Sequence, residues 1–235
     1  MSNDRHILAE SKYSPTSLRR IYFYTATLLL LFCLIGSLVD QSFLKLISRE
    51  DHFLENLTSG VLLGSALYGL TNWRARQPHK NVIATFTALA FVGFLDEVSF
   101  GQRVFGFTPP MAGGTSLDGL HDLTNMLKKV ISINFQYHPI HTFVVLFLIF
   151  SGFVITAIFY RKKIFGLINY LIRFNLGGIF IATISAILLS QLLDLEFIAL
   201  SLSRPLEETL ELIASLGLLT CLITLVRSGK FTHKH

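Results

Sequence analysis

The sequence predicts an all-α integral membrane protein, a six-transmembrane-helix bundle with an amphipathic helix in the long outer loop between spans 3 and 4. Composition is the first reason: 51% of the 235 residues are hydrophobic, only 15% are charged, and the mean hydropathy is +0.56. Soluble domains carry about 25% charged residues. Six separate apolar runs and a one-sided distribution of lysine and arginine are the second and third reasons.

Each of the six runs is close to the length of about 20 apolar residues that a helix needs to cross a hydrocarbon core about 30 Å thick. Charges are nearly absent from the runs except near their ends. In chain order, the predicted spans are Ile21–Val39, Phe53–Asn72, Val82–Val98, Ile140–Tyr160, Leu176–Leu193 and Leu206–Val226. The polar lead before the first run is too long for a signal peptide, so this run is predicted to be retained as a span.

The basic residues set the predicted orientation. With six spans, 14 of the 20 lysines and arginines fall on one side of the membrane, which the positive-inside rule assigns to the cytoplasm. Both termini are then cytoplasmic, and the expected location is the inner membrane of a bacterial cell. The chain divides into a cytoplasmic segment at 1–20, a six-span membrane domain at 21–226 with its outer loop at 99–139, and a cytoplasmic tail at 227–235.

The acidic residues concentrate on the opposite side. Of the 15 aspartates and glutamates, 13 lie at or near the outer face, a bias that the positive-inside rule does not explain. The outer loop is also unusual, because connections longer than about 15 residues are uncommon and often functional. In this loop Leu117, Leu120, Leu123 and Leu127 recur at helical spacing after Ser116, a suitable N-cap, which predicts the amphipathic helix at the outer surface.

Two adjacent carboxylates, Asp96 and Glu97, end the third predicted span in the stretch FLDEVSFGQRVFG. The simplest interpretation is that they lie in water at the helix end, where a charge is less costly than at the membrane centre. Against it, a helix C-terminus disfavours anions. Polar residues also continue through Gln102 and Arg103, as expected for the lining of a site, and Arg103 is the predicted partner of one of the two carboxylates.

Three glutamates, Glu207, Glu208 and Glu211, open the last predicted span after Pro205. Proline suits the first helical position, and acids in the first turn favour the helix dipole, which accounts for Glu207 and Glu208. Glu211 lies deeper among apolar neighbours and shares a helix face with both. It is therefore the predicted site residue of the three.

Asp51 and Glu55 stand four residues apart at the start of the second span, where capping and a functional role are equally supported. Among the histidines of the outer side, His121 is the notable one, because Asp118 precedes it by three residues and Asp122 follows it. Histidine with carboxylates from several helices is a ligand set for Zn, Mn or Fe. No compact metal motif such as H-E-x-x-H is present.

Two other function classes receive little support. Cys33 and Cys221 lie in separate apolar runs, which predicts buried apolar side chains and neither a disulfide nor a metal ligand. The net charge of +5 does not indicate nucleic acid, because no basic stripe alternates with aromatic residues on a polar face. The predicted partners are the lipid bilayer and a lipid or lipid-linked substrate, and the sequence indicates no protein partner.

The segment DEVSFGQR resembles a motif, E-E-I-S-W-G-Q-R, of a group of uncharacterised bacterial multi-pass membrane proteins. That group has an acidic E-D-x-x-x-E stretch before the motif, an N-L-H-N-like stretch after it, and an acidic start to the last helix. The order fits over most of residues 50–211, and the matching positions are Glu50, Asp51, Glu55, Asp96, Glu97, Ser99, Gly101, Gln102, Arg103, Leu120, His121, Asp122, Glu207, Glu208 and Glu211. Asp96, Phe100 and Asp122 depart from the pattern, standing for Glu, Trp and Asn. The resemblance implies a shared site and no particular reaction.

These patterns together predict one outer-facing polar cavity, partly covered by the amphipathic helix. The predicted catalytic residues are Glu55, Asp96, Glu97, His121 and Glu211. Of these, the predicted ligands of a divalent metal cofactor are Glu97, His121 and Glu211. The residues expected to bind an anionic substrate group are Gln102, Arg103 and Lys128.

Three functions are consistent with such a cavity. In the first hypothesis the protein is a membrane-embedded enzyme that acts on a lipid or lipid-linked substrate, with a metal or a carboxylate–His pair activating water or a hydroxyl. The second is a cation- or proton-coupled carrier, although the sequence has neither an inverted repeat nor broken helix pairs. The third is a non-catalytic membrane assembly subunit.

Overall fold

The chain is almost entirely helical wherever its structure is described. The computed structural model describes residues 15–48, 53–73, 80–99, 105–106, 108, 111–112, 115–116, 129, 131–173, 176–194 and 202–231. Its helices are α1 (Pro15–Val39), α2 (Gln41–Ile47), α3 (Phe53–Asn72), α4 (Lys80–Glu97), α5 (Pro139–Arg173), α6 (Gly177–Asp194) and α7 (Ser203–Phe231). A further helical segment covers 131–137. Two short strands, β1 (Met111–Ala112) and β2 (Thr115–Ser116), pair antiparallel.

All six predicted spans fall on helices, but within the described part of the chain four helices are long and apolar enough to cross a membrane. The four segments are Thr16–Val39, Pro139–Lys162, Gly177–Asp194 and Ser203–Arg227, in α1, α5, α6 and α7. These helices fit a membrane protein. The other two, α3 and α4, have 20 and 18 residues and are not among the four, because polar and charged side chains lower their hydropathy. The six-span count is therefore not confirmed.

The predictions for the outer loop and for the span that follows it have different outcomes. The amphipathic helix falls almost wholly outside the described residues, and Ser116, its expected N-cap, belongs to β2. The fourth predicted span is confirmed as a helix but extends well past its expected end, because α5 continues from Pro139 to Arg173. The helix continues through the basic sequence Arg161–Lys163, whose residues are good helix formers.

The chain forms two compact units, Met1–Phe94 with Leu171–His235 (unit 1), and Leu95–Tyr170 (unit 2). In unit 1, α7 is the central helix, because it packs against α1, α2, α3 and α6. Within its most apolar 18 residues, 72% are buried, against 17% for α1 and 28% for α6. Helices α1 and α6 therefore present most of their apolar side chains outward, as helices in contact with lipid do.

Individual contacts fix the direction of each helix against α7. Near one end of α7, the Cys33 thiol of α1 lies against Thr209. Near the other end, Arg227 lies against the Tyr68 hydroxyl of α3. Tyr68 lies near the C-terminal end of α3, so α3 and α7 run parallel and their N-terminal ends lie on the same side of unit 1. Helix α1 runs antiparallel to α7, and so does α6, because the start of α6 at Gly178 lies against Phe23 near the start of α1.

Close helix approach depends on glycine at two places in unit 1. A Cβ on Gly217 of α7 would collide with the Thr183 hydroxyl of α6 and lie 3.2 Å from the Tyr22 hydroxyl of α1. A Cβ on Gly69 of α3 would collide with the Thr87 hydroxyl of α4. Small residues at such crossings let helix backbones approach closely, which is a main source of packing energy between helices in lipid.

Most buried hydroxyls of the bundle donate hydrogen bonds to carbonyls of their own helices. The hydroxyls of Ser65, Thr183 and Thr209 donate to carbonyls four residues earlier, at 2.6, 2.8 and 2.7 Å. Ser215 donates to the carbonyl three residues earlier, at 2.8 Å. A hydroxyl satisfied in this way adds little polar cost to an apolar helix. Hydroxyls therefore occur along the helix interfaces without requiring partners on other helices.

We expect Gly217→Ala to destabilise the protein and Gly64→Ala to leave its stability unchanged or slightly increased. The first substitution forces α6 and α7 apart at Thr183, and overpacking of this kind costs about 1–3 kcal/mol. The second adds a methyl group where nothing described lies within 4 Å, and it favours helix formation. Thermal unfolding of the detergent-solubilised protein measures both. Equal loss of stability in the two variants would contradict the packing described for Gly217.

Candidate functional site

The acidic residues of α7 lie deeper in the helix than predicted. The helix begins at Ser203, and its first α-helical hydrogen bond joins the Leu206 amide to the Leu202 carbonyl at 3.1 Å. The prediction that Pro205 occupies the first helical position, with acids in the first turn, is therefore wrong by two residues. Pro205 is tolerated because its missing amide hydrogen falls among those that have no partner within the helix.

Glu208 is the most buried carboxylate on α7. Its side chain is 5% exposed, and its Oε2 atom is inaccessible to solvent. Glu207 and Glu211 are half-buried, and all three take part in polar or electrostatic interactions. Arg204 precedes Glu207 and Glu208 by three and four residues, the spacing at which opposite charges attract on a helix surface. An arginine on the same helix is thus available to compensate the second-turn glutamates.

The same end of unit 1 holds carboxylates from two more helices. Glu55 lies in the first turn of α3, where an anion is favoured by the helix dipole, and it is half-buried. Asp194 ends α6, and its Oδ2 atom is inaccessible to solvent. Because α3 runs parallel and α6 antiparallel to α7, Glu55, Asp194 and the three glutamates of α7 lie at one end of the helix bundle. We call these five residues the acidic end of unit 1.

Thr58 is an exception among the buried hydroxyls. It lies one turn after Glu55 on the buried face of α3 and is 1% exposed. Its Oγ1 atom has no hydrogen-bond partner among the described residues, whereas the hydroxyls of Ser65 and Thr183 are bonded to their own helices. Leaving a buried hydroxyl without a partner costs free energy, so Thr58 is a candidate donor to a bound group.

The other predicted carboxylates, Asp96 and Glu97, belong to unit 2. Helix α4 ends at Glu97, as predicted, and both side chains are half-buried and engaged in interactions. Ser99 follows with a backbone φ of +50°, in the left-handed region that residues with a Cβ rarely adopt, and is 9% exposed. Such strain concentrates at functional sites, which draws attention to the DEVS sequence.

The remaining predicted site residues lie outside the described residues. They are His121, Gln102, Arg103 and Lys128, so their convergence with the carboxylates stays a prediction. Among the residues that are described, no group of three or more His, Cys, Asp or Glu side chains is arranged to hold a metal ion. The metal set Glu97, His121 and Glu211 includes a residue outside that search and is untested.

The acidic end of unit 1 has a defined chemical capacity. An ionised carboxylate accepts hydrogen bonds and cannot donate them, so carboxylates that gather in a buried place require protons, cationic side chains or a bound cation. Glu208 is the buried carboxylate of the group, and Glu55 and Glu211 are half-buried. Arg204 provides a nearby positive charge. Such a group can bind a cation or exchange a proton with a bound hydroxyl.

No family model matches the chain, and no curated protein or solved structure matches it. Function is therefore argued from the residues of the chain themselves. The relevant observations are the burial of Glu208, the position of Glu55 on a parallel neighbouring helix, and the Thr58 hydroxyl, which has no hydrogen-bond partner in the part of the chain that the structure describes.

Glu208, Arg204 and Thr58 are missing from the predicted site residues. Glu208 was assigned to a solvated first turn, and Arg204 lies outside every predicted span. One signal does identify Glu208: it shares an i, i+4, i+7 stripe with Leu212 and Ser215, both of which are buried. No sequence signal separates Thr58 from the other hydroxyls, because Thr58 differs from them only in that its Oγ1 atom has no hydrogen-bond partner among the described residues.

We expect Glu208→Ala to lower the free energy of unfolding by about 1–3 kcal/mol, because it leaves the groups that interact with the buried carboxylate without their partner. The matched variant Glu207→Ala changes a half-buried neighbour, and we expect about 0.5 kcal/mol or less. Thermal unfolding in detergent at neutral pH compares the two. If both variants lose the same stability, the burial of Glu208 has no energetic consequence and the acidic end loses its central residue.

Proposed function

We propose that the protein is a membrane-embedded enzyme of the inner membrane that acts at the outer leaflet on a lipid or lipid-linked substrate. The single observation that carries the proposal is a nearly fully buried glutamate, Glu208, on the central helix of unit 1. A buried carboxylate is energetically unfavourable unless it is compensated, so a buried glutamate on the central helix is a candidate site residue.

In this proposal the carboxylates act as general bases and as ligands. Glu55, Asp96, Glu97, His121 and Glu211 form the catalytic group, to which the structure adds Glu208 as a candidate. Glu97, His121 and Glu211 hold a divalent metal, which supplies activation of water or a hydroxyl when bound. Gln102, Arg103 and Lys128 hold the anionic part of the substrate, because lipid headgroups and lipid-linked intermediates commonly carry phosphate.

The proposed orientation has six spans, with α3 and α4 as the second and third spans and both termini in the cytoplasm. The distribution of basic residues supports it, because an even number of spans puts 14 of 20 lysines and arginines on the cytoplasmic side. The parallel arrangement of α3 and α7 supports it as well. With six spans, these two helices both run from the outer face to the cytoplasm.

The orientation predicts the result of reporter fusions in bacterial cells. We expect a reporter that is active only outside the cytoplasm to be active when fused within the outer loop, after Gly114. Fusions after Gln77, between α3 and α4, and after His235 should be inactive. A cytoplasm-specific reporter should give the reverse pattern. If the fusions after Gln77 and His235 report opposite sides, the number of spans between them is odd and the six-span arrangement is wrong.

The proposed metal predicts the composition of the purified protein. We expect mass spectrometry of the detergent-solubilised wild type to detect near-stoichiometric Zn, Mn or Fe. His121→Ala and Glu97→Gln should each lose it, because each removes one proposed ligand. Glu207→Gln serves as the matched control, since it changes an acidic residue outside the proposed ligand set and should retain the metal.

A wild type without metal would overturn the metal-assisted form of the proposal. The carboxylates would then be compensated by protons or by arginine, and the carrier and the assembly subunit would become the leading alternatives. Metal retained in both ligand variants but lost in Glu208→Gln would place the ion at the acidic end of unit 1 and replace the ligand set.

A further inference from the structure

The start of α5 carries two histidines that the proposed function does not use. His138 is the residue immediately before the helix, and His141 lies in its first turn. Both side chains are exposed, and their ring centroids are 5.9 Å apart with ring planes at 87°. Both residues belong to unit 2. The pair therefore stands on one helical turn, at the end of the apolar segment of α5, with both rings uncovered by other parts of the described structure.

The distance between the rings is close to the value that chelation requires. Imidazole nitrogens bind Zn²⁺ at about 2.0–2.1 Å, so two imidazoles on one tetrahedral ion have centroids about 5 Å apart. The observed 5.9 Å exceeds this by less than one ångström. Small rotations about the side-chain bonds of two exposed residues supply this adjustment without any movement of the helix.

The backbone beneath the two rings is held firmly. The His138 amide donates to the Asn134 carbonyl at 2.7 Å, and the His138 carbonyl accepts from the amide and the hydroxyl of Thr142, both at 3.0 Å. Pro139 occupies the first helical position, where its fixed φ suits the helix. A ligand pair mounted on a fixed turn loses little freedom on binding, which favours chelation over two independent weak contacts.

Edge-to-face packing of the two imidazoles is the competing explanation for their proximity. Such packing contributes most when rings are buried, whereas both of these rings are exposed. Imidazole is a preferred ligand for Zn²⁺, Cu²⁺ and Ni²⁺, and affinity among these ions is highest for Cu²⁺. The positive end of the helix dipole opposes a cation at this position, but this effect is weak at an exposed helix end.

We propose that His138 and His141 form a two-histidine chelate for a divalent transition metal, with water completing the coordination. The site is separate from the ligand set Glu97, His121 and Glu211 of the proposed function, and it does not require that set to exist. Its binding chemistry is that of two neutral imidazoles, so Cu²⁺ is the most sensitive probe of it.

Cu²⁺ binding to the full chain in detergent tests the proposal. The measurement uses a metal-stripped, untagged protein that carries His121→Ala, His233→Ala and His235→Ala, which remove the histidine of the proposed catalytic site and the two histidines of the tail. In this background we expect one Cu²⁺ whose electron paramagnetic resonance spectrum shows two nitrogen ligands. His138→Ala and His141→Ala should each weaken binding at least tenfold and leave at most one of the two nitrogens, whereas His79→Ala, which changes a histidine outside every proposed site, should change neither quantity.

Three results would overturn the chelate. They are Cu²⁺ binding that is unchanged in both single variants, a loss confined to one of them, and no binding by the parent protein at a concentration of about 100 μM, where two-nitrogen chelation is readily detected. Circular dichroism of each variant verifies that the helices persist, so a loss of binding is not a loss of folding. Cu²⁺ binding that appears only when His121 is restored would overturn the chelate and assign the ion to the proposed catalytic site.

Discussion

The burial of α7 constrains the rest of unit 1. This helix contacts four neighbours, so each polar group on it must be satisfied within the protein. Hydroxyls meet the requirement locally, as Thr209 and Ser215 do by donating to carbonyls of α7 itself. A carboxylate cannot use that solution, because in its ionised form it only accepts hydrogen bonds and the helix carbonyls offer none. Glu208 therefore depends on groups beyond the carbonyls of its own helix, whatever its function.

Thr58 presents the complementary imbalance on the neighbouring helix. Its hydroxyl is a donor that does not bond to α3, whereas the acidic end of unit 1 has an excess of acceptors. Thr58 lies on α3 and Glu208 lies on α7, and these two helices run parallel. In the proposed function, a hydroxyl-bearing substrate bound here would donate to a carboxylate and accept from Thr58.

The helices were predictable from the sequence, and the burial of individual side chains was not. Apolar periodicity and length placed a helix on each of the six runs, and Phe53–Asn72 was predicted with the bounds that the structure has. Hydrophobicity alone does not show which helix is central, since α6 and α7 are both apolar and only their contacts separate them. The sequence favours Glu211 over Glu208 because Glu211 lies farther into the span among apolar neighbours, whereas the structure buries Glu208 more deeply. Because α7 begins at Ser203, Pro205 lies inside the helix and Glu208 lies beyond its first turn. The favourable effect of the helix dipole on first-turn acids therefore does not explain Glu208.

The question of topology and the question of function depend on the same residues. Helix α3 has a lower hydropathy than α6 because it contains Glu55, Asn56 and several glycines, and α4 ends in Asp96 and Glu97. These acidic residues are also the ones predicted for the site. A helix with such side chains crosses a membrane when neighbouring helices cover its polar face, and the buried stripe of α3 through Thr58 and Ser65 faces the bundle in this way. A protein that keeps polar helices in its membrane domain loses insertion energy, and in the proposed function the binding of a substrate at those residues offsets that loss.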